Sequence, residues 1–495
     1  MNSNRRQVKR SGMAAMLPTM LAVVVMFAGA VVSAQAQTFT LLYSFEGENQ
    51  NEGSTPMGLV QGTNGYLYGV TEGGGNAGEI SSGTFFKIST SGKLTIICTF
   101  YNPGPCRDTQ APSANLILGT NGDFYGVALD GENIRMTPTG KLNVLYNSNG
   151  NSVSVAPLLL ASNGDFYGTD KLGGVNNNCY GYCGSVFKMT AAGKLTTLHS
   201  FCSVYQNGVC IDGQEPQFGL VQGSDGNLYG TTSAGGNDGV NGGYGTIFKI
   251  TPAGTLTTIY NFPGYTQSSS ALIQGADGNF YGTTYTGGNG VYGAYGTFFT
   301  VTPGGALTTL YSFCNLQSCA DGSYPQNIYL ATDGNFYGIT LSGGASNDGT
   351  IFQFTPGGAL TTLHSFDGAD GFGPGFAGTL MQDTNGTFYG TMESGGAGYP
   401  NCTGFCDGTI FSLDMGLGPF VETLPTSGKV KAAVKILGTD LTGATSVTFN
   451  GTAATFKVVS SSEITTNVPE GATTGKVQVV TPNGTLTGNL TFQVP

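Results

Sequence analysis

Seven copies of one short phrase are the feature that most constrains how this chain of 495 residues can fold. Asn-Gly or Asp-Gly between apolar runs predicts a tight hairpin turn, because both residues tolerate the positive φ that such a turn needs. The copies are TNGYLYGVT (63–71), TNGDFYGVA (120–128), SNGDFYGTD (162–170), SDGNLYGTT (224–232), ADGNFYGTT (276–284), TDGNFYGIT (332–340) and TNGTFYGTM (384–392).

Each phrase lies in a longer unit that reads as four short strands. In the unit at 220–262 these are LVQG, NLYGTT, GTIFKI and TLTTIYNF, separated by turns or a Gly-rich loop. The tyrosines of the phrase recur about every 53 residues, and a four-stranded unit with a period near 50 is typical of a β-propeller blade. These tyrosines are Tyr68, Tyr125, Tyr167, Tyr229, Tyr281, Tyr337 and Tyr389.

The two ends of the repeat region predict a closed ring. The stretch TFTLLYSF (38–45) has the pattern of a fourth strand, whereas the seventh unit ends at GTIFSLD (408–414) without one. The first strand is therefore expected to complete the last blade, which removes open sheet edges. The fold class expected is all-β, a seven-bladed propeller over 37–414; an open solenoid of stacked hairpins is the alternative.

The repeat units resemble the GloVer tandem repeat of the choice-of-anchor family, through the DGN-[FL]-YG-T and GTIFK-T--G-LTTLYSF phrases, over about 38–414. This resemblance implies an exported repeat protein whose ligand is open. After a linker at 415–419, Tyr and Cys disappear and Val, Thr and Lys rise. Residues 420–495 resemble an IPT/TIG domain, which implies an immunoglobulin-like β-sandwich, and the short alternating strands agree with it.

The N-terminal 36 residues have the order of an export signal. Four basic residues precede an apolar run, and small residues follow around Ala34 and Ala36. This predicts a signal peptide at 1–36 and a secreted, periplasmic or cell-surface protein without a transmembrane segment in the mature chain. A retained membrane anchor is the alternative. Without 1–36 the net charge is about −15, so nucleic acid is an unfavourable partner.

The ten cysteines form five close pairs, which in an exported chain predict disulfides. Metal ligation by the C-x3-C pairs is the alternative. The pairs are Cys98/Cys106, Cys179/Cys183, Cys202/Cys210, Cys314/Cys319 and Cys402/Cys406.

A recurrent acid stands four residues before a proline in five of the units, in the loop that leads from the last strand of one blade to the first strand of the next. These acids are Glu52, Asp108, Asp212, Asp321 and Asp370. Variable loops on a rigid scaffold are where binding usually lies. The acids are therefore the predicted ligand-binding residues, for a polyol or for calcium. The alternative is that each acid caps its own turn. No cofactor other than calcium is considered, and metal binding is left open.

Two histidines, His199 and His364, occupy a position that is Tyr in other units, so they are predicted to be structural. We find no nucleophile elbow, P-loop or zinc-protease motif. The predicted function is a non-enzymatic binding or scaffold protein for carbohydrate or another surface polymer, with the IPT/TIG module as spacer or adhesive unit. A glycoside hydrolase or lyase is the alternative, with Asp130, Glu132, Asp170 and Glu393 as acids outside the register of the repeat. A purely structural surface protein is the third.

Overall fold

The computed structural model describes residues 37–46, 52–75, 83–100, 106, 112–128, 131–148, 153–176, 179, 183–237, 243–264, 266–268, 270–291, 293–374, 380–400 and 407–495. The predicted signal peptide at 1–36 lies outside these ranges. Within them the chain forms seven four-stranded antiparallel sheets and a separate eight-stranded region. The all-β propeller and the C-terminal sandwich are therefore confirmed.

The strands of each blade are called a to d from the ring axis outward. Strand β1 (Thr38–Ser44) comes first and is strand d of blade 7. Blades 1 to 3 are β2 (Ser54–Gln61), β3 (Leu67–Gly73), β4 (Thr84–Ile88) and β5 (Leu94–Thr99); β6 (Ile117–Leu118), β7 (Phe124–Val127), β8 (Asn133–Met136) and β9 (Leu142–Tyr146); and β10 (Leu159–Leu160), β11 (Phe166–Asp170), β12 (Ser185–Met189) and β13 (Leu195–Ser200). A small hairpin, β14 (Tyr205–Gln206) and β15 (Val209–Cys210), precedes blade 4.

Blades 4 to 7 follow the same order. They are β16 (Val221–Gln222), β17 (Leu228–Thr231), β18 (Thr246–Ile250) and β19 (Leu256–Asn261); β20 (Ile273–Gln274), β21 (Phe280–Thr284), β22 (Thr297–Val301) and β23 (Leu307–Ser312); β24 (Ser323–Leu330), β25 (Phe336–Ser342), β26 (Thr350–Phe354) and β27 (Leu360–Ser365); and β28 (Met381–Gln382), β29 (Phe388–Met392) and β30 (Thr409–Asp414). A 3-10 turn, Gln317–Cys319, lies before blade 6.

The repeated tyrosine fastens each blade to the next. Its hydroxyl bonds to the Asn or Asp of its own turn, four residues earlier; for example, Tyr229 donates to Asp225 Oδ2 at 2.9 Å. Its ring packs on the aromatic residue of the next blade's strand b, with a centroid distance of 4.1 Å between Tyr229 and Phe280. Because both ends of the side chain are satisfied, the tyrosine can be buried without an unpaired polar group.

Glutamines at the end of strand a form a second set of links between blades. The backbone N–H of Ser224 in blade 4 donates to Gln274 Oε1 of blade 5 at 2.8 Å. The same link joins the two ends of the ring, because the backbone N–H of Thr384 in blade 7 donates to Gln61 Oε1 of blade 1 at 3.2 Å. Gln61 Nε2 also donates to Thr384 Oγ1 at 2.8 Å. Strand β1 pairs with β30 from Thr38↔Asp414 to Ser44↔Thr409. The predicted closure by the first strand is thus confirmed.

The C-terminal domain contains β31 (Val421–Leu424), β32 (Ala433–Gly438), β33 (Ser446–Phe449), β34 (Thr452–Ala453), β35 (Phe456–Val458), β36 (Glu463–Asn467), β37 (Gly475–Thr481) and β38 (Gly484–Phe492). Their order is β34-β33-β37-β38-β31-β32-β36-β35. Strands β31 and β38 join the two halves through a parallel pair at Val421↔Gly488. Alternate apolar residues point into one buried core between the halves.

This domain docks on the face of the ring that carries the a–b turns, which we call the base face. Ser462 Oγ donates to the Thr63 carbonyl at 2.8 Å, and Ser427 Oγ donates to the Ser162 carbonyl at 3.1 Å. A side chain added at the a–b turn glycines Gly226, Gly278 or Gly334 would meet no atom within 4 Å. The same holds for Gly164 of blade 3, whose turn the domain meets only at its edge through Ser162. The domain therefore contacts the turns of blades 1, 2, 3 and 7 and leaves those of blades 4 to 6 uncovered.

We expect the ring-closing glutamine to matter more than its internal equivalent. Gln61→Leu leaves the Thr384 N–H without its acceptor in a site where both side chains are buried, so it should lower the free energy of unfolding by about 1–3 kcal/mol. Gln274→Leu, whose partner Ser224 is exposed, is the matched control and should cost less than about 1 kcal/mol. Urea unfolding of both variants makes the comparison, and equal losses would argue against a special role for closure.

Candidate binding face

The b–c and d–a loops lie on the face opposite the base face, which we call the loop face. Where three of the d–a loops lead into strand a, the residue before the recurrent proline is left-handed: Thr55, Glu215 and Tyr324 have φ of 58°, 54° and 56°. The N–H of each donates to the preceding blade, as Tyr324 does to the Tyr295 carbonyl at 2.8 Å. Such a backbone costs roughly 1–3 kcal/mol per residue and is often found at ligand clamps. The bonds to the preceding blade therefore hold the ends of these loops in a defined conformation.

Each described acid contacts strand d of the blade that precedes its d–a loop. Each described acid bonds to the side chain at the Tyr/His position of strand d. The pairs are Tyr43 Oη with Glu52 at 2.6 Å, His199 Nε2 with Asp212 at 2.9 Å, Tyr311 Oη with Asp321 at 2.7 Å, and His364 Nε2 with Asp370 at 2.7 Å. Tyr and His can therefore replace each other at this position, because either side chain can hydrogen-bond to the carboxylate of the loop.

Three of these acids also accept backbone N–H groups of their loops, and Asp370 does so from Asp367 at 2.9 Å. Asp321 accepts from Asn315 at 2.8 Å and from Leu316 at 3.0 Å. Asp212 accepts from the N–H of Ser203 at 3.1 Å. Burial by itself raises the pKa of Asp212, but the bonds from His199 and Ser203 outweigh it and hold that pKa below its usual range. All three carboxylates therefore act as caps within their loops.

The structure keeps these acids in separate loops. Asp108 lies outside the described residues. Among the residues that are described, the one group of three or more metal-ligating side chains within reach of each other contains four cysteines and no acid. Binding of a ligand or calcium by Glu52, Asp212, Asp321 and Asp370 stays a prediction, and any ligand would have to share carboxylates that already hold their loops.

Four of the predicted disulfides are formed: Cys98–Cys106, Cys179–Cys183, Cys202–Cys210 and Cys314–Cys319. Cys402 and Cys406 lie outside the described residues. Two of these disulfides lie side by side, with Cys179 Sγ 3.7 Å from Cys210 Sγ. All four sulfurs of that group are bonded in pairs, so as disulfides they are not available as thiolate ligands.

Three tyrosines form an aromatic cluster on the loop face that the sequence did not predict. The rings of Tyr285 and Tyr324 stack with centroids 4.7 Å apart and planes 29° apart. Tyr295 meets Tyr324 edge to face at 5.3 Å. All three side chains are partly exposed. Tyr285 and Tyr295 begin and end the b–c loop of blade 5, whereas Tyr324 lies at the start of strand a of blade 6. The packing of neighbouring blades therefore brings them together.

An acid pair lies at the junction of blades 7 and 1. Glu393 and Glu72 occupy the same repeat position, directly after strand b or at its end. Burial, with the negative charge of Glu72 added, raises the pKa of Glu393 to about 7. A carboxyl group that is neutral near pH 7 beside an ionised one can act as a proton donor.

The other acids outside the repeat register have nearby partners. Asp170 accepts from Ser185 Oγ at 2.8 Å, and Glu132 accepts from the side-chain amide of Asn147. Asp130 lies outside the described residues. For Glu393, the fourth of these acids, burial raises the pKa to about 7.

The Asp321 loop offers a direct test of capping against cation binding. Asp321→Ala leaves the Tyr311 hydroxyl and two backbone N–H groups without an acceptor and should destabilise the protein by roughly 2–4 kcal/mol. Asp321→Asn keeps a carbonyl oxygen as an acceptor and should lower the free energy of unfolding by less than Asp321→Ala does. Urea unfolding with calcium or with a chelator should give the same result for the unsubstituted chain. A calcium-dependent gain that Asp321→Asn abolishes would instead support a cation site.

The raised pKa of Glu393 predicts that stability falls as pH rises. The folded state binds the proton up to about pH 7 and the unfolded state up to about 4.5, so stability is lost between these values. The shift corresponds to roughly 3 kcal/mol. Glu393→Gln should remove this part of the pH dependence of urea unfolding. Glu470→Gln, at an exposed position of the C-terminal domain, is the control and should leave it unchanged.

Comparison with solved structures shows the fold alone. A fungal alcohol oxidase of the AA5 family, in complex with copper, is 14% identical, with 92% of this chain and 98% of that chain covered at a TM-score of 0.50. A streptogramin B lyase is 15% identical, with 77% and 98% covered at a TM-score of 0.47. No curated protein matches the chain. Among the described residues, no helix is both long enough and apolar enough to cross a membrane.

Family models identify both parts of the chain. The model of the IPT/TIG domain matches residues 420–494. The model of the Gloeobacter/Verrucomicrobia repeat matches residues 130–293 and 268–455, so it begins later and ends later than the resemblance seen in the sequence. Because these matches together span more than half of the 495 residues, the chain belongs to the family built from the Gloeobacter/Verrucomicrobia repeat.

Proposed function

We propose that the chain is an exported, non-enzymatic protein that binds a carbohydrate or another surface polymer on the loop face of its propeller. The observation that carries this proposal is the partly exposed stack of Tyr285 and Tyr324, with Tyr295 at its edge. Four disulfides within or beside the loops support an oxidising compartment outside the cytoplasm.

Tyrosine suits the recognition of a sugar polymer because it offers a flat apolar face and a hydroxyl at one end. The cluster is also held in place before any ligand arrives. Tyr324 is held by its bond to the Tyr295 carbonyl, and the loop before it is capped by Asp321. A site ordered in advance loses less conformational entropy on binding. In this proposal the predicted acid positions the aromatic residue rather than contacting the ligand.

The docked C-terminal domain favours the loop face as the binding surface. It occupies part of the base face through Ser462 and Ser427, so the opposite face is the one it leaves open. We assign the IPT/TIG module the role of a spacer or adhesive unit fixed to the ring.

A glycoside hydrolase or lyase is the second candidate, favoured by the pair Glu393 and Glu72. Glycoside hydrolysis uses two carboxyl groups, one of them protonated near neutral pH. Burial and the neighbouring charge of Glu72 give Glu393 a pKa of about 7, which suits the proton donor.

The test incubates residues 37–495 with insoluble cellulose, chitin and xylan, and measures protein in the pellet and new reducing ends in the supernatant. Tyr324→Ala should lower the bound fraction about fivefold or more, as loss of a central aromatic anchor does. Tyr66→Ala is the matched control, since Tyr66 is 38% exposed in an a–b turn on the base face, and it should bind normally.

Retention that depends on Tyr324, without new reducing ends, supports the binding function. Product that disappears in Glu393→Gln establishes the hydrolase instead. Absence of both retention and product contradicts both candidates and favours a purely structural protein.

A further inference from the structure

A cavity of about 410 Å³ lies on the base side of the ring axis, where the C-terminal domain meets the propeller. Strands a of blades 1, 2, 6 and 7 form part of its wall, and strands β31, β32 and β38 of the C-terminal domain contribute to the other part. Its volume lies within the range of about 300–1,000 Å³ usual for small-molecule sites. The cavity is separate from the tyrosine cluster, which lies on the loop face.

The C-terminal domain is held firmly enough to give this cavity a defined wall. Leu437 of β32 packs into the same buried cluster as Met57 and Leu116 of the propeller. Thr439 Oγ1 lies 3.0 Å from Thr384 Oγ1, the side chain that also bonds to Gln61 and closes the ring. The position of β31 is thus fixed by the same residues that fix the closure.

Glu422 of β31 is the charged residue of the cavity lining. Its Oε1 accepts from Asn489 Nδ2 of β38 at 2.9 Å. Burial raises the pKa of Glu422 to about 7, and the charge of Asp383 adds to the effect. The hydroxyl-bearing Tyr329 of β24 lines the same cavity, and burial followed by the charge of Glu422 raises its pKa as well.

The carboxyl group of Glu422 has no positively charged partner among the residues that line the cavity. None of the residues that line it is Lys, Arg or His. The nearby Lys435 is engaged elsewhere, because its Nζ lies 2.6 Å from Glu463 Oε1. Asp383, next to the cavity residue Gln382, is 3% exposed, and its Oδ1 has no hydrogen-bond partner. A buried carboxylate of this kind is costly unless a cation accompanies it.

Much of the remaining wall is apolar and includes Leu59, Leu116, Met381 and Leu437. Uncharged polar side chains, among them Gln61, Asn115 and Gln382, line the rest. An inorganic cation would need several oxygen ligands at short range, whereas the described acids form no such group here. An organic ammonium fits better, because its charge can meet the carboxylate while its carbon body fills the apolar part.

We propose that this axial cavity binds a compact organic cation, an ammonium group on an apolar body, with the ammonium donating to Glu422 and lying beside Tyr329. The aromatic ring of Tyr329 can add a cation–π contribution. This proposal does not depend on polymer binding at the loop face.

The test measures binding of 2-phenylethylamine and of its neutral analogue 2-phenylethanol to the chain 37–495 by calorimetry at neutral pH. The amine should bind about tenfold or more tightly than the alcohol. Glu422→Gln should bring the two affinities within about threefold of each other. Glu470→Gln, an exposed acid of the same domain, is the control and should keep the preference for the amine.

A second variant tests the cavity without changing its charge. Val60→Phe places extra volume in the wall contributed by β2 and should weaken amine binding about tenfold or more. Equal affinity for amine and alcohol, no binding of either, or an amine preference that survives both substitutions would overturn the proposal. Loss of polymer retention in Tyr324→Ala leaves this result untouched, so the two proposals fail independently.

Discussion

The repeated tyrosine is the contact on which the ring depends. Its hydroxyl needs a partner when the ring is buried, and an unpaired hydroxyl would cost about 1–3 kcal/mol. The turn supplies that partner in all seven blades, as Asn in blades 1 to 3 and 7 and as Asp in blades 4 to 6. The ring of the tyrosine then packs on the next blade, on Phe in five junctions and on Leu228 or Leu67 in the other two. The turn residue, the tyrosine hydroxyl and the neighbouring blade all depend on each other. The repeated phrase around the tyrosine can therefore vary little.

This arrangement leaves the loop face free to vary. The tyrosine hydroxyls and the glutamine links lie toward the base face, where the a–b turns repeat almost unchanged. On the loop face a capping acid, a left-handed residue and a proline occur together where the d–a loop carries the recurrent acid, as Asp321, Tyr324 and Pro325 show. Gly296 of the preceding blade illustrates the constraint, since an added Cβ there would lie 2.6 Å from Pro325 Cδ. The side chains between these fixed points are the ones available for binding.

The blade count, the order of strands and the closing strand could be predicted because they follow from local pattern and period. The partners of the recurrent acids could not, although one signal was available: the Tyr/His position and the acid recur together, as in His364 and Asp370. The tyrosine cluster joins Tyr285 to Tyr324 across a blade junction, and Glu422 meets Tyr329 across a domain interface. Neither pair could be predicted from strand periodicity, because both contacts depend on how separate blades or domains pack together.

The blades of the ring are nearly identical and present equivalent surfaces. A binding site that occurs once in the ring therefore needs residues that differ from the repeat. The C-terminal domain supplies one, because a single copy of it covers only part of the base face and brings a single carboxylate, Glu422, to the axis. The propeller contributes another, since Leu118 stands where Gln61 and Gln382 end their strands and adds apolar wall to the same cavity. On the loop face, Tyr324 and Glu393 likewise occupy repeat positions that hold other residues in most blades. The conserved phrase accounts for the ring, and the exceptions to it account for where a ligand can be recognised.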